Sequence, residues 1–333
     1  MDYLTRKRVS NKLMFLLGAG ATVDAGMPTV AQLTKELRNQ LPIHHQEFGQ
    51  IFNLIEARDP SIAENYERFF EWIKLLLDVH KEPFRNVIQT NIDESLIQVM
   101  ADLSCVVGQE VARLLLSRKS EPNYLALLGN FLPPKGRLRV FTLNYDCCIE
   151  DACRAAGIET TTGFDPTNRQ WNPSLFETKI SGINVYKLHG SLRWFGTRDE
   201  SLSEKNFQYA PVLMELSLEE RQAFASNLTI WPHPELILGP GTKVQLDDPF
   251  RTLLHEFHES MQTVQCCVVI GYGYKDPHIN TIIDQAIDKG VSVIGVDPDG
   301  PHGKYLAING YRHLKSPAKN AFLEGLISSE LSK

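Results

Sequence analysis

Residues 13–22 read Leu13-Met14-Phe15-Leu16-Leu17-Gly18-Ala19-Gly20-Ala21-Thr22, an unbroken apolar run that stops at a glycine-rich turn. Five consecutive apolar side chains suit a strand covered on both faces, as in a parallel sheet. Helical patterning resumes after Pro28, where Val30, Leu33, Leu37 and Leu41 form one stripe and Thr29 with Gln32 makes a capping box. Glycines in such a turn let a phosphate approach the backbone, and free amides at a helix start attract its charge. A purely structural strand-to-helix turn accounts for them equally well. The third glycine position of GxGxxG is occupied by Val23, so the ordinary dehydrogenase fingerprint fails.

Further strands are expected at Leu138–Leu143, Val185–Leu188, Cys266–Ile270 and Val291–Val296, with helices at Asp146–Ala156, Phe250–Met261 and Pro277–Lys289. This alternation predicts a Rossmann-like, doubly wound α/β fold with a mostly parallel sheet. From about 46 to 131 the period is helical almost throughout. Tyr66, Phe69, Phe70, Ile73 and Leu77 share one face; Leu96, Val99, Met100, Leu103 and Val107 repeat it, followed by Val111, Leu114 and Leu115. The expectation is a single domain over 1–333 with a helical insertion at about 46–131. An irregular segment at about 160–245 is expected to form loops and short strands.

Composition excludes several function classes. Hydrophobic residues make up 43% and charged residues 22% of the 333, an ordinary globular balance. With 34 basic and 40 acidic residues the formal charge is −6, which gives no electrostatic reason for nucleic-acid binding. Arg6-Lys7-Arg8 is read as a solvated patch. No apolar run approaches the roughly 20 residues of a membrane span, and Met1–Arg6 lacks a signal peptide's apolar stretch. A soluble, cytoplasmic protein is expected. The six cysteines include two adjacent pairs and no CxxC, which favours reduced, mostly buried thiols over disulfides or structural zinc.

Ligands of open α/β sheets bind at the carboxyl ends of the strands. The residues that come directly after the expected strands are Gly18-Ala19-Gly20-Ala21-Thr22, Asn144-Tyr145-Asp146, His189-Gly190-Ser191, Gly271-Tyr272-Gly273 and Asp297, all small or polar at their starts. Asp146 reads as a helix N-cap, and together with Asn144 it offers an amide and a carboxylate to a carboxamide, ribose or water. His189 ends a buried strand beside Gly190, which clears space for a ligand. An acidic residue such as Asp297 at a strand end accepts hydrogen bonds from ribose hydroxyls.

Together these segments resemble the sirtuin family. GAGAT with the GMP at 26–28 looks like the family's GAG(A)S…GIP loop, TLNYD at 142–146 like its TQNID, and LHGS at 188–191 like its catalytic His-Gly segment. Gly271-Tyr272-Gly273 sits where the family has its phosphate-contacting GTS, and Asp297 where an Asn grips the adenine ribose. The resemblance covers about residues 12–40, 138–196 and 235–300. It implies a catalytic set of Asn144, His189 and Asp146, and an NAD⁺ site formed by Gly18, Ala19, Gly20, Thr22, Pro28, Asn144, Asp146, Gly271, Tyr272 and Asp297. Deacetylating sirtuins carry a zinc module with paired CxxC motifs after the catalytic histidine, whereas this chain has no cysteine between Cys153 and Cys266.

The segment Gly271-Tyr272-Gly273-Tyr274-Lys275-Asp276-Pro277-His278-Ile279-Asn280 is instead similar to the bacterial sirtuin-like NAD⁺ hydrolases of antiphage defence. That likeness implies hydrolysis of the nicotinamide–ribose bond, NAD⁺ as substrate, no zinc, homo-oligomers and a separately encoded partner such as a HerA-type ATPase. The alternatives are an NAD⁺-dependent protein deacylase and a non-catalytic sensor of NAD⁺ or ADP-ribose.

Overall fold

The computed structural model of the chain describes residues 12–79, 94–198, 212–217, 219–221, 229–230, 234–238, 248–300, 305 and 308–333. The Arg6-Lys7-Arg8 patch lies outside them, as do parts of the 46–131 and 160–245 segments. In chain order β1 (Leu13–Leu17) is followed by four helices, α1 (Val30–His44), α2 (Gln46–Glu56), α3 (Tyr66–Val79) and α4 (Glu94–Leu116). Then come β2 (Arg137–Thr142), α5 (Cys148–Ala155), β3 (Thr160–Thr161), β4 (Gly182–Lys187), β5 (Trp194–Arg198), β6 (Val212–Glu215) and β7 (Thr229–Ile230). The remainder is α6 (Phe250–Thr263), β8 (Cys266–Ile270), α7 (Pro277–Asp288), β9 (Ser292–Val296), β10 (Tyr311–Leu314), α8 (Ala318–Leu323) and α9 (Leu326–Leu331).

The chain divides into two compact units. The first, Met1–Met27, Lys119–Trp231 and Leu246–Lys333, contains all the described strands. Seven of them form one sheet in the order β10-β9-β8-β1-β2-β4-β3, and every pairing in it is parallel. This is the doubly wound, Rossmann-like sheet that alternation of strands and helices predicts. β1 lies between β8 and β2, so neither of its edges is exposed, and each of its five side chains is at most 4% exposed. Burial of side chains this size contributes about 1.5–3 kcal/mol each before entropy is counted. β2, β4 and β3 lie on one side of β1, while the later β8, β9 and β10 lie on the other. The strand order therefore reverses between β1 and β8, which is where ligand crevices open in such sheets.

β8 has the bounds the sequence suggests, whereas β2 and β4 start and stop earlier than the apolar runs indicate. Gly182 and Asn184 are buried strand residues without apolar side chains, and Lys187 is a buried cation at the end of β4. Their backbones pair in register with Arg137, Arg139 and Thr142 of β2, so pairing rather than hydrophobicity sets these ends. β3 opens the segment expected to form loops and short strands, whereas β10 is not foreseen. β10, Tyr-Arg-His-Leu, is half-buried throughout and has no apolar run to mark it. Within the irregular segment, β6, β5 and β7 form a small antiparallel sheet.

The second unit, Pro28–Arg118 with Pro232–Gln245, holds α1 to α4. The capping box at α1 is formed: Gln32 N donates to Thr29 Oγ1 at 3.2 Å, and Thr29 N to Gln32 Oε1 at 2.8 Å. Leu33, Leu37 and Leu41 are buried, and Val30 is half-buried. Phe48, Phe52 and Phe69 pack with ring centroids 5.0–5.6 Å apart, so the aromatic residues of this unit are core. Along α3 and α4, Tyr66, Phe69, Phe70, Ile73, Met100, Leu103, Val107 and Val111 are buried, while Leu77 and Val99 are half-buried. The side chain of Leu96 lies outside those described. Among the described residues, no helix is long and apolar enough to cross a membrane.

Candidate active site

The turn after β1 is shaped by its neighbour. Gly18 N donates to Ile270 O at 2.9 Å and Gly20 N to Gly271 O at 2.8 Å, which lays the turn against the end of β8. A Cβ on Gly18 would stand 2.7 Å from Gly271 O, and one on Gly20 would stand 2.7 Å from Gly271 Cα. Gly271 itself has φ +61°, and its Cβ would fall 2.2 Å from Ala21 N. All three glycines are thus required by backbone packed on backbone. That requirement exists before any phosphate arrives. Ala21 O accepts from the buried Tyr124 hydroxyl at 2.6 Å, which fixes the far side of the turn.

Thr22 closes the turn and joins two of the expected site residues. Its Oγ1 donates to Asp146 Oδ2 at 3.1 Å and accepts from Asn144 Nδ2 at 3.2 Å. The single hydroxyl proton goes to the carboxylate, so the amide must present its NH₂ to Thr22. The Asn144 carbonyl oxygen then faces away from this relay. Asn144, Asp146 and Thr22 are respectively 8%, 7% and 1% exposed. Asp146 is not the N-cap of α5; the helix begins at Cys148 after Cys147. The carboxylate still braces that start, since Oδ1 accepts from Cys148 N at 3.0 Å. Both Asp146 oxygens therefore have protein donors.

His189 comes after β4 and is buried, 6% exposed. Its Nε2 lies 3.3 Å from Asp276 Oδ2, at ion-pair distance. Asp276 is the N-cap of α7: its Oδ1 accepts from His278 N at 3.0 Å, and Pro277 occupies the first helical position. One carboxylate thus starts a helix and faces the histidine. Sequence reading missed this role, although Asp276-Pro277 carries the N-cap signature. Tyr272, 7% exposed, donates to Asn280 Oδ1 at 2.9 Å and accepts from Asp276 N at 3.1 Å, which fixes the turn between β8 and α7.

Asp297 stands after β9, with Oδ1 accepting from Asp299 N at 2.9 Å. β9 is two strands from β1 on the side opposite β4, so Asp297 lies about 10 Å from the Gly18–Thr22 turn by strand spacing alone. A ligand touching both would be elongated. Pro28 opens the second unit, just before the α1 cap. The structure therefore gathers Gly18, Ala19, Gly20, Thr22, Asn144, Asp146, His189, Gly271 and Tyr272 at the carboxyl ends of β1, β2, β4 and β8.

Beneath the Asn144 and His189 loops lies a charged layer that sequence reading also missed. Lys187 is 0% exposed; its Nζ donates to the Asp146 carbonyl oxygen and pairs with Glu150 Oε1 at 3.1 Å. Burial pulls the ammonium toward the neutral form, yet Glu150 and the neighbouring groups outweigh it and hold Lys187 above the ordinary lysine value. Burial also pushes the Cys147 thiol up to about 12. All six cysteines are free; Cys148, Cys153 and Cys267 are buried, Cys147 and Cys266 partly so, and Cys105 is exposed. Among the described residues, no group of three or more His, Cys, Asp or Glu side chains is arranged to hold a metal ion. A cavity of about 690 Å³ lies at the opposite end of the strands, beside Arg137, Arg139 and Tyr186, and contains none of the expected site residues.

Comparison with known proteins adds a family. A family model described as a SIR2-like domain matches residues 138–308. No curated protein matches the chain. Among solved structures, it is similar to a mutant Sir2 homologue in complex with ADP-ribose, with 15% identity and a TM-score of 0.43 over 100% of this chain and 98% of that one. It is similar to a Sir2 homolog–NAD complex at 15% identity and a TM-score of 0.40, over 99% and 95% of the two chains. It is also similar to Sir2Tm bound to a propionylated peptide, at 12% identity and a TM-score of 0.45, over 99% and 98%.

Proposed function

The chain belongs to the SIR2-like domain family, and from that premise we propose that it is an NAD⁺ hydrolase, releasing nicotinamide and ADP-ribose. The observation that carries this reading is the buried Asn144–Thr22–Asp146 relay, set at the same strand ends as His189 and the glycine turn. A site that only binds a dinucleotide has no need of an amide tied through a hydroxyl to a buried carboxylate, nor of a buried histidine beside another carboxylate.

In the reaction the bond from ribose C1′ to the nicotinamide nitrogen breaks, its electron pair leaving on nicotinamide. A water oxygen bonds to C1′ and gives up a proton. Asn144, its NH₂ held by Thr22, presents the carbonyl oxygen to that water. His189 holds the ribose hydroxyls or takes the proton, and the Asp276 carboxylate stabilises the resulting imidazolium. Asp146, with both oxygens engaged, holds the Asn144 loop rather than the substrate. The turn at Gly18–Thr22 takes the pyrophosphate, and Asp297 the adenosine ribose.

Water as acceptor is favoured over an acyl-lysine peptide by the chain beyond His189. There the described residues form the antiparallel sheet of β5, β6 and β7, and the sequence from 154 to 265 contains no cysteine from which a zinc module could be built. Self-association through the helical unit, a role in antiphage defence and control by a separately encoded partner complete the proposal. Exposed Ile43, Leu54 and Leu75, at 72%, 54% and 53%, supply apolar surface for that assembly. The test is nicotinamide release by wild type and by Asn144→Ala and His189→Ala. Both variants are expected to fold and to lose turnover; full activity in both overturns the assignment.

A further inference from the structure

Lys187 ends β4, a strand whose six residues are all buried, and no part of it reaches solvent. Placing an ammonium there carries a large desolvation penalty that its partners must offset. Buried ion pairs are often replaced by apolar residues with no loss of stability, so a lysine at this position calls for another account. Its contacts supply one. Nζ donates to the backbone carbonyl of Asp146 and pairs with Glu150 Oε1 on α5. Lys187 is two residues before His189, and Asp146 is two residues after Asn144. One ammonium thus ties the end of the strand that leads into His189 to the backbone of the loop that carries Asn144.

We propose that Lys187 is a positioning residue: it fixes the separation of the Asn144 and His189 loops without touching the substrate. The proposal rests on the hydrolase reading for its activity readout. The competing account is charge compensation, in which Lys187 serves only to neutralise Glu150. Glu150 Oε2 is buried and has no hydrogen-bond partner among the described residues, so removing the lysine alone would leave a poorly compensated carboxylate and lower stability under either account.

The pair of variants Lys187→Met and Lys187→Met with Glu150→Leu separates the two. In the double variant the orphaned charge is gone, and the midpoint of thermal unfolding is expected to return to within a few degrees of wild type. Nicotinamide release is nonetheless expected to stay down, with kcat lower by about 100-fold, as a displacement near 1 Å can produce, and with KM changed far less. Amide exchange across 143–148 should be faster than in wild type. Wild-type kcat in the double variant overturns the proposal. If wild type itself releases no nicotinamide, the hydrolase reading fails, and exchange decides the inference alone: unchanged protection at 143–148 overturns it. Should the double variant not fold, Lys187→Arg takes its place, since it keeps the charge beside Glu150 but not the compact donor to the carbonyl. The same split between kcat and midpoint is expected, and wild-type kcat there also overturns the proposal.

Discussion

Thr22 is a small residue with two obligations, and replacing it tests both. Thr22→Val keeps the shape but leaves Asp146 Oδ2 and Asn144 Nδ2 without their shared partner in a buried setting. The expected cost is about 1–3 kcal/mol in denaturant unfolding, with a clear loss of NAD⁺ turnover; Thr22→Ser is expected to restore both. Unchanged stability and turnover in Thr22→Val would show that the relay is not used. Asp297 carries a second expectation: its carboxylate favours free ribose hydroxyls and repels a 2′-phosphate, so NAD⁺ should bind more tightly than NADP⁺ in calorimetry. Tighter binding of NADP⁺ would remove Asp297 from the adenosine subsite. The candidate residues were legible in the sequence as a group because they lie within a few residues of strand ends. The relay was not, since its bonds join residues 122 and 124 positions apart and only the sheet brings them together. Asp276 shows the same limit: its capping role is local and readable, whereas its approach to His189 depends on where the β8–α7 turn lands.

At the scale of elements, the glycines divide into those the turn needs and those it does not. Gly271→Ala meets both a positive φ and Ala21 N, so the β1 turn must shift; loss of stability and of nucleotide binding is expected. A Cβ added at Gly273 would meet nothing within 4 Å among the described residues, and its φ is not positive, so Gly273→Ala is expected to match wild type in thermal unfolding. Equal behaviour of the two variants would contradict the packing account. In the helical unit, Asp59 accepts from Ser61, Trp72 and Arg68, which holds its carboxyl well below the usual range. A depressed carboxyl stabilises the fold above its unfolded pKa, and that stability is lost as pH falls. Asp59→Asn is therefore expected to flatten the decline in stability as pH falls from about 5 through the lowered pKa; an undiminished decline would assign it elsewhere. Elements with a continuous apolar run or a capping box were readable in advance. β10 was not, because a half-buried polar strand is specified by its neighbours rather than by its own pattern; for β5–β7 the sequence indicated short strands but not their pairing.

The whole molecule combines an all-parallel sheet, readable from its apolar strands, with a helical unit whose surface exposes Ile43, Leu54 and Leu75. If that surface serves assembly, light scattering at micromolar concentration gives a mass above the 37.6 kDa of one chain, and Ile43→Glu with Leu75→Glu lowers it. A monomeric mass for the unmodified protein would end that proposal. The central claim concerns chemistry at the sheet's carboxyl edge, and one incubation tests it most directly: the purified protein with NAD⁺, with and without an acyl-lysine peptide, following nicotinamide and ADP-ribose. The account predicts equal amounts of nicotinamide and ADP-ribose without peptide, and neither product with Asn144→Ala. Nicotinamide released only when the peptide is present, with the acyl group transferred to ADP-ribose, would contradict it.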